Sequence, residues 1–327
     1  MKPERRTLEE EILFTHAAAI FEHELKTRLN LSTITAPLFV SSNSGLNDDL
    51  NGTEQAVSFQ IDGQQFEVVH SLAKWKRWIL GETETEKGKG IVTDMKAIRK
   101  EEISSPIHSH LVEQWDWEKV ISKNERTLET LIDHAKLIYR ALKTTEREIS
   151  SLTISPPSLP ANLYIIHSEE LLKMYPTYSA KEREDAIAAK HGAVLIIGIG
   201  ADLSDGKPHD LRAPDYDDWT SINADGFYGL NADLLVWDTV RKASLEISSM
   251  GIRVDKEALI RQLELTKSVS RLMSPFHQLL VTKQLPYTIG GGIGKSRVIM
   301  FVTKKDDISK VIPKTEILHS EIAIPTV

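Results

Sequence analysis

Near the end of the chain stands Thr288-Ile289-Gly290-Gly291-Gly292-Ile293-Gly294-Lys295-Ser296-Arg297-Val298-Ile299-Met300, with four glycines in five residues. A backbone this bare can approach a ligand or a neighbouring strand closely and can adopt φ > 0 without strain. Three phosphate-binding patterns compete for it. The P-loop needs a glycine five positions before Gly294-Lys295-Ser296, and that position is Ile289. The dinucleotide pattern G-x-G-x-x-G fits Gly290 and Gly292 but then meets Lys295. The remaining reading is a glycine strand, with Gly290, Gly292 and Gly294 leaving its face open to a flat ring. Arg297 then starts a helix and could stack its guanidinium on that ring. A tight turn with no ligand is the plain alternative.

At 327 residues the chain can bury a large core, as one domain or two. Its net charge of −7 argues against a surface that coats nucleic acid, though not against a small basic pocket. There are no cysteines, which excludes disulfides, thiolate zinc sites and Cys nucleophiles. Met1-Lys2-Pro3-Glu4-Arg5-Arg6 leads into an amphipathic helix rather than a secretory signal, and no apolar run is long enough to span a bilayer. A soluble, cytoplasmic, mixed α/β protein is expected.

Thr7-Leu8-Glu9-Glu10 reads as a capping box opening a helix to Leu29. Thr33–Val40 reads as a strand that Pro37 confines to an edge or interface. Residues 41–56 form a polar loop with Asp48 and Asp49. Val57–Ile61 and Gln65–Val69 flank Asp62-Gly63 as a hairpin. A short helix, Leu72–Leu80, is followed by a second hairpin, Ile91–Arg99 and His108–Trp117, whose long charged loop is a candidate ligand cover. Glu125–Ile149 reads as an amphipathic helix, and Ser155–Pro160 as a linker. Beyond it the pattern predicts a strand (Leu163–Ile166), two helices (Ser168–Met174, Ala180–His191), strands at Ala193–Ile199, Asp233–Trp237 and Ser244–Ser249, helices at Lys256–Lys267 and Pro275–Thr282, then the glycine strand and a last helix. This order predicts an α+β fold with a largely antiparallel sheet flanked by helices.

Period 2 puts Gln114, Asp116 and Glu118 on one face of the second hairpin and Trp115 and Trp117 on the other. Three inward polar groups are costly unless they meet a ligand or partners; a solvated sheet face is the competing account. Ser71, Lys74, Lys76 and Arg77 follow a strand end, and a solvated basic helix face is the default for them. Arg212, Asp215, Asp217 and Asp218 read as a solvated charged turn, with a Mg²⁺ or nucleotide contact as the alternative. Glu246 with Asp233 could hold Mg²⁺ on a triphosphate, or Glu246 could pair with Arg253. The eleven histidines show no metal-ligand spacing.

Arg99 before a charged loop, followed by Glu113-Gln114-Trp115-Asp116-Trp117-Glu118, resembles motif 2 of class II aminoacyl-tRNA synthetases. The glycine strand with Arg297 resembles motif 3, and the first helix with Pro37 resembles motif 1. Six further blocks, Val68–Arg77, His108-Ser109, Gln114–Glu118, Arg212–Trp219, Ser248–Val254 and Thr288–Arg297, run in the order found in ammonia-dependent asparagine synthetases. The resemblance covers nearly the whole chain and implies one synthetase-like catalytic domain over residues 1–327.

The resemblance further implies ATP, L-aspartate and ammonia as substrates, with asparagine formed through β-aspartyl-AMP. It implies Arg99 bridging the reacting carboxylate and the α-phosphate, Lys76 and Arg253 clamping the other carboxylate, and Ser71, Gln114, Asp116 and Ser249 holding the amino acid. Asp48 would attract ammonium and take its proton. Asp217, Asp233, Ser248, Gly292, Gly294 and Arg297 would contact the nucleotide, and Asp233 with Glu246 would hold Mg²⁺. A homodimer through the first helix and the strand around Pro37 is implied, with no nucleic acid and no membrane as partner. An aspartyl-tRNA synthetase-like enzyme and an amino-acid- or nucleotide-binding paralogue stay open as alternatives.

Overall fold

The computed structural model describes residues 6–48, 50 and 54–314; Met1–Arg5, Asp49 and the last residues lie outside them. The chain begins with α1 (Leu8–Leu29), opened by the expected capping box: Thr7 Oγ1 accepts from Glu10 N while Thr7 N donates to Glu10 Oε2 at 3.0 Å. The next strands are β1 (Leu31–Thr33), β2 (Phe39–Ser41), β3 (Ser58–Ile61) and β4 (Gln64–Val68). The single strand expected over Thr33–Val40 is therefore two strands. Ala36 and Pro37 lie in the connection, because Pro has no N–H to give a ladder. Its first half joins one sheet and its second half another.

Helix α2 (Ala73–Glu82) leads to the long hairpin β5 (Gly90–Ile98) and β6 (Leu111–Val120). Helix α3 (Leu128–Thr153) starts three residues later than expected. Glu125 is held in a short 3-10 turn, its carboxylate accepting from Ser122 N at 2.7 Å, and Thr127 supplies the cap instead. The second half contains β7 (Tyr164–His167), α4 (Ser168–Met174), α5 (Ala180–His191), β8 (Ala193–Ile197), β9 (Asn231–Asp238), β10 (Ala243–Ile252), α6 (Lys256–Leu265), α7 (Pro275–Val281), β11 (Thr288–Gly294) and α8 (Lys295–Val302).

Eight strands form one sheet in the order β1-β5-β6-β11-β10-β9-β8-β7; β2, β4 and β3 form a small antiparallel sheet. Only the outer pairs, β1 with β5 and β7 with β8, are parallel, so the α+β expectation of a largely antiparallel sheet holds. One face of the large sheet is apolar. Trp115, Trp117, Leu234, Val236, Met250, Ile252 and Ile293 meet Phe21 of α1 and Ile138 and Leu142 of α3 there. The Phe21 and Trp115 ring centroids lie 4.7 Å apart. At the β7–β9 end of the other face, α4 and α5 bury Val194, Ile196 and Leu235. In the middle of that face, between these helices and α2, the sheet carries polar residues and opens to a cavity.

Candidate active site

The cavity measures about 350 Å³. It gathers Asp48, Ser71, Arg99, Gln114, Asp116, Asp217, Glu246, Ser249, Arg253, Gly292, Gly294 and Arg297 from all parts of the chain. Alternation on β6 turns Gln114, Asp116 and Glu118 to this face while Trp115 and Trp117 enter the core, as the period predicted. Strand β11 lies beside it, with Gly290 opposite Glu118, Gly292 opposite Asp116 and Gly294 opposite Gln114. The glycines are thereby explained by their neighbours. A Cβ on Gly290 would overlap the Glu118 carboxylate and lie 2.5 Å from Arg253 Nη2; one on Gly292 would lie 2.5 Å from Gln114 Oε1. Gly290 makes room for an ion pair rather than for a ring.

Strand β10 solves a spacing problem. Glu246, Ser249 and Arg253 cannot share a face of a regular strand. A register shift between Glu246 and Ser248 inserts one extra residue, so Leu245 and Ile247 face the core on one side of it and Met250 and Ile252 on the other. Glu246, Ser249 and Arg253 then all line the cavity. Ser248 does not: it is buried in the sheet, its hydroxyl donating to Gly292 O at 3.0 Å. That hydroxyl serves as a strand-to-strand tie between β10 and β11.

Two expectations of solvated charge are overturned. Lys74, Lys76 and Arg77 are buried, as are Asp215, Asp217 and Asp218. Each met a partner distant in sequence. Lys74 Nζ lies 3.1 Å from Asp215 Oδ2, which His277 Nε2 also meets at 3.1 Å. Arg77 donates to Val254 O at 2.7 Å and Pro286 O at 2.9 Å, fastening α2 to the ends of β10 and β11. Lys76 pairs with Asp116 and donates to Trp117 O at 2.9 Å. Its side chain is 0% exposed and stands behind Asp116 rather than on the cavity lining. Burial lowers the Lys76 ammonium from its ordinary value, against the opposing pull of Asp116 and Glu118.

Arg253 is equally committed. It forms a fork on Glu118, with Nη2 at 2.7 Å from Oε2, and also pairs with Asp217. Burial and these two carboxylates act in opposite senses on Arg253, and the carboxylates win, raising it. Glu118 would be raised by its burial but is held below its ordinary value by Arg253 and Lys76. Asp217 is raised, burial outweighing Arg253. Arg126 donates to Arg253 O and reaches Asp218 Oδ2 at 2.6 Å, anchoring the base of this network.

The remaining groups differ in how far they are engaged. Arg99 extends the hairpin ladder by one pair, its N–H donating to His110 O at 2.9 Å, while its guanidinium forms no hydrogen bond or ion pair among the described residues. Its Nε is buried without a partner, and burial lowers it from its ordinary value. Arg297 starts α8 as expected, but it turns to Glu246 O at 3.1 Å and Ile107 O at 3.3 Å. Asp233 stands just behind the cavity lining, paired through Oδ2 with Arg212, its Oδ1 buried and unpartnered. Burial, with the charge of Glu246 adding and Arg212 opposing, pushes Asp233 up to about 7. With this buried oxygen unpartnered among the described residues, Asp233 and Glu246 are the carboxylates that would hold a dication here. Asp48 is buried, its Oδ1 accepting from Leu50 N at 3.2 Å and its carbonyl meeting His70 Nδ1 at 3.1 Å.

Two contributors escaped the expected site. Arg212 lines the cavity and Glu118 anchors Arg253. Both stood within blocks already singled out, but the partner that gives each a role lies 21 and 135 residues away.

An antiparallel sheet carrying one arginine at a hairpin end and a second after a glycine strand, both on one cavity, has the catalytic-domain fold of class II aminoacyl-tRNA synthetases. The asparaginyl-tRNA synthetase of Entamoeba histolytica in complex with asparaginyl-adenylate superposes with a TM-score of 0.65 at 13% identity, over 94% of this chain and 66% of that one. The chain thus spans about two thirds of that chain. Within this class, the chain belongs to the aspartate–ammonia ligase family, whose model matches residues 8–320. Aspartate–ammonia ligase of Parabacteroides distasonis is 50% identical over 295 residues, covering 89% of this chain and 86% of that protein. The enzyme of the same name from Clostridium perfringens is 48% identical over 314 residues, 95% and 91% of the two chains.

Proposed function

We propose that this enzyme makes L-asparagine from L-aspartate and ammonia in two steps driven by ATP. In the first, a β-carboxylate oxygen attacks the α-phosphorus of ATP, the bond from the α-phosphorus to the α,β-bridging oxygen breaks, and pyrophosphate leaves. In the second, ammonia nitrogen attacks the activated carbonyl carbon, AMP leaves with the former carboxylate oxygen, and nitrogen loses a proton. The carboxylate alone is a poor acyl donor; adenylation gives it a leaving group. The observation that carries this reading is Arg99, a guanidinium on the cavity wall whose Nε is buried and which has no partner among the described residues, suited to charge that builds between a carboxylate and a phosphate.

The remaining roles follow from position. Asp116, held by Lys76 and by Leu72 N at 3.1 Å, is fixed to accept the α-ammonium of aspartate. Arg253, locked by Glu118 and Asp217, offers its charge to the α-carboxylate, with Gln114, Ser71 and Ser249 around it. That leaves the β-carboxylate toward Arg99. Asp48 is the candidate to attract ammonium and accept its proton. Arg297, released from Glu246, would cover the adenine above Gly292 and Gly294, and Asp217 would touch the nucleotide. Mg²⁺ held by Asp233 and Glu246 would neutralise phosphate charge. Residues 1–327 would form one catalytic domain, acting in the cytoplasm as a homodimer through α1 and the segment around Pro37.

Incubation with aspartate, ATP and Mg²⁺ tests this. Asparagine and pyrophosphate should appear together only when ammonium is added. Aspartate turnover with tRNA and none with ammonium would favour a tRNA synthetase and sink the proposal. Arg99→Ala should cut adenylate formation at least a hundredfold, as loss of a charge-stabilising donor does, without changing the circular dichroism spectrum.

A further inference from the structure

A second cleft, of about 730 Å³, lies on the α1 and α3 side of the large sheet, away from the first cavity. Its walls carry Arg28, Lys136, Arg140, Lys143 and Arg147. Four of these follow the spacing i, i+4, i+7, i+11 along α3 and so share one helix face. Like charges at these spacings repel, and the chain as a whole carries −7. The one acid among the described residues lining the cleft is Glu146, and it is spent. Its carboxylate accepts from Ser158 N at 2.8 Å, Ser158 Oγ at 2.7 Å and Leu159 N at 3.0 Å, with Lys304 Nζ 3.1 Å away.

The cations have little else to do. Arg140 makes no hydrogen bond or ion pair among the described residues. Lys136 and Arg147 have only loose surface pairs, at 3.9 Å to Asp133 and 3.6 Å to Glu148. Lys143 donates to Ala161 O at 3.1 Å, and Arg28 pairs with Glu24 and donates to Thr144 Oγ1 at 3.2 Å, while its Nε is buried without a partner among the described residues. The facing wall, Pro157, Leu159 and Leu163, is apolar and is pinned to α3 by the Glu146 bonds.

We propose that this cleft binds an oligophosphate anion, either free or carried by a nucleotide. Guanidinium forks match phosphate oxygens in pairs, and several phosphates on one ligand are needed to meet several cations. A base, if present, would lie on the apolar wall.

Calorimetric titration of the full chain with inorganic tripolyphosphate, then with GTP, tests the site. Two variants accompany it: Arg99→Ala, to weaken phosphate binding in the first cavity, and the exposed pair Arg140→Glu/Arg147→Glu. Binding should persist in Arg99→Ala, fall at least tenfold in Arg140→Glu/Arg147→Glu, and weaken with added salt. Tighter binding of GTP would assign the anion to a nucleotide, and equal binding to free oligophosphate. No binding to the wild-type chain at low salt, or binding kept in Arg140→Glu/Arg147→Glu, would overturn the proposal.

Discussion

Single atoms decide much of this site. Gly290 stands opposite Glu118 because the Arg253–Glu118 pair occupies the space a side chain would take. Gly290→Ala should therefore push a buried ion pair apart rather than merely stiffen a strand. The expected cost is about 2 kcal/mol of stability, as for overpacking elsewhere, with a clear rise in KM for aspartate. Urea denaturation and steady-state kinetics would check both; wild-type values for both would refute the crowding account. Before the fold is known, the run of glycines signals only close approach. Nothing local distinguishes approach to a ring from approach to a carboxylate, and the distinction came from a residue 172 positions upstream. Lys76 teaches the same point. Its default, a solvated helix face, fails because Asp116 lies 40 residues away on a strand that α2 covers.

At the scale of elements, helix ends were legible and strand partners were not. Capping residues act within one turn, so Thr7 with Glu10 and Ser179 with Glu182 mark their helices correctly from local sequence. The β10 bulge had no such mark: Glu246, Ser249 and Arg253 share a face only because β9 and β11 force the register. Helix α2 likewise depends on distant carbonyls. Arg77→Met would leave Val254 O and Pro286 O without their buried donor. It should cost about 1–3 kcal/mol while leaving turnover per folded molecule close to wild type, since Arg77 does not line the cavity. A large loss of kcat at unchanged stability would place Arg77 in the chemistry instead.

Across the molecule, several histidines are kept neutral by burial. His70, His134 and His167 all lie below their ordinary value of 6.5, burial being the main cause in each. His134 also stacks on Trp117, with ring planes 2° apart, and bonds to Thr130 O at 2.7 Å. The unfolded chain binds more protons than the folded one between their folded values and 6.5. The stability these histidines contribute is therefore complete above 6.5 and declines as pH falls through that window, while the raised Asp233 and Asp217 act in the opposite sense. Comparing urea midpoints of the wild type and His134→Gln at pH 7.5 and pH 5.5 isolates the histidine part: the variant should lose less stability, or gain more, than the wild type between the two. An identical pH dependence in both would contradict the assignment. By itself the sequence determined which helices form, the alternating faces of β6 and the largely antiparallel class of the sheet, because these depend on periods and caps a few residues long; the blocks from which the cavity is built were legible through their resemblance to a known family. Only the tertiary structure decided which charges were buried in pairs, which arginine was left uncommitted, and that Ser248 and Lys76 stand behind the cavity rather than on it. Those outcomes depend on contacts between residues far apart in the chain, and a charge is costly or useful only according to what the fold sets beside it.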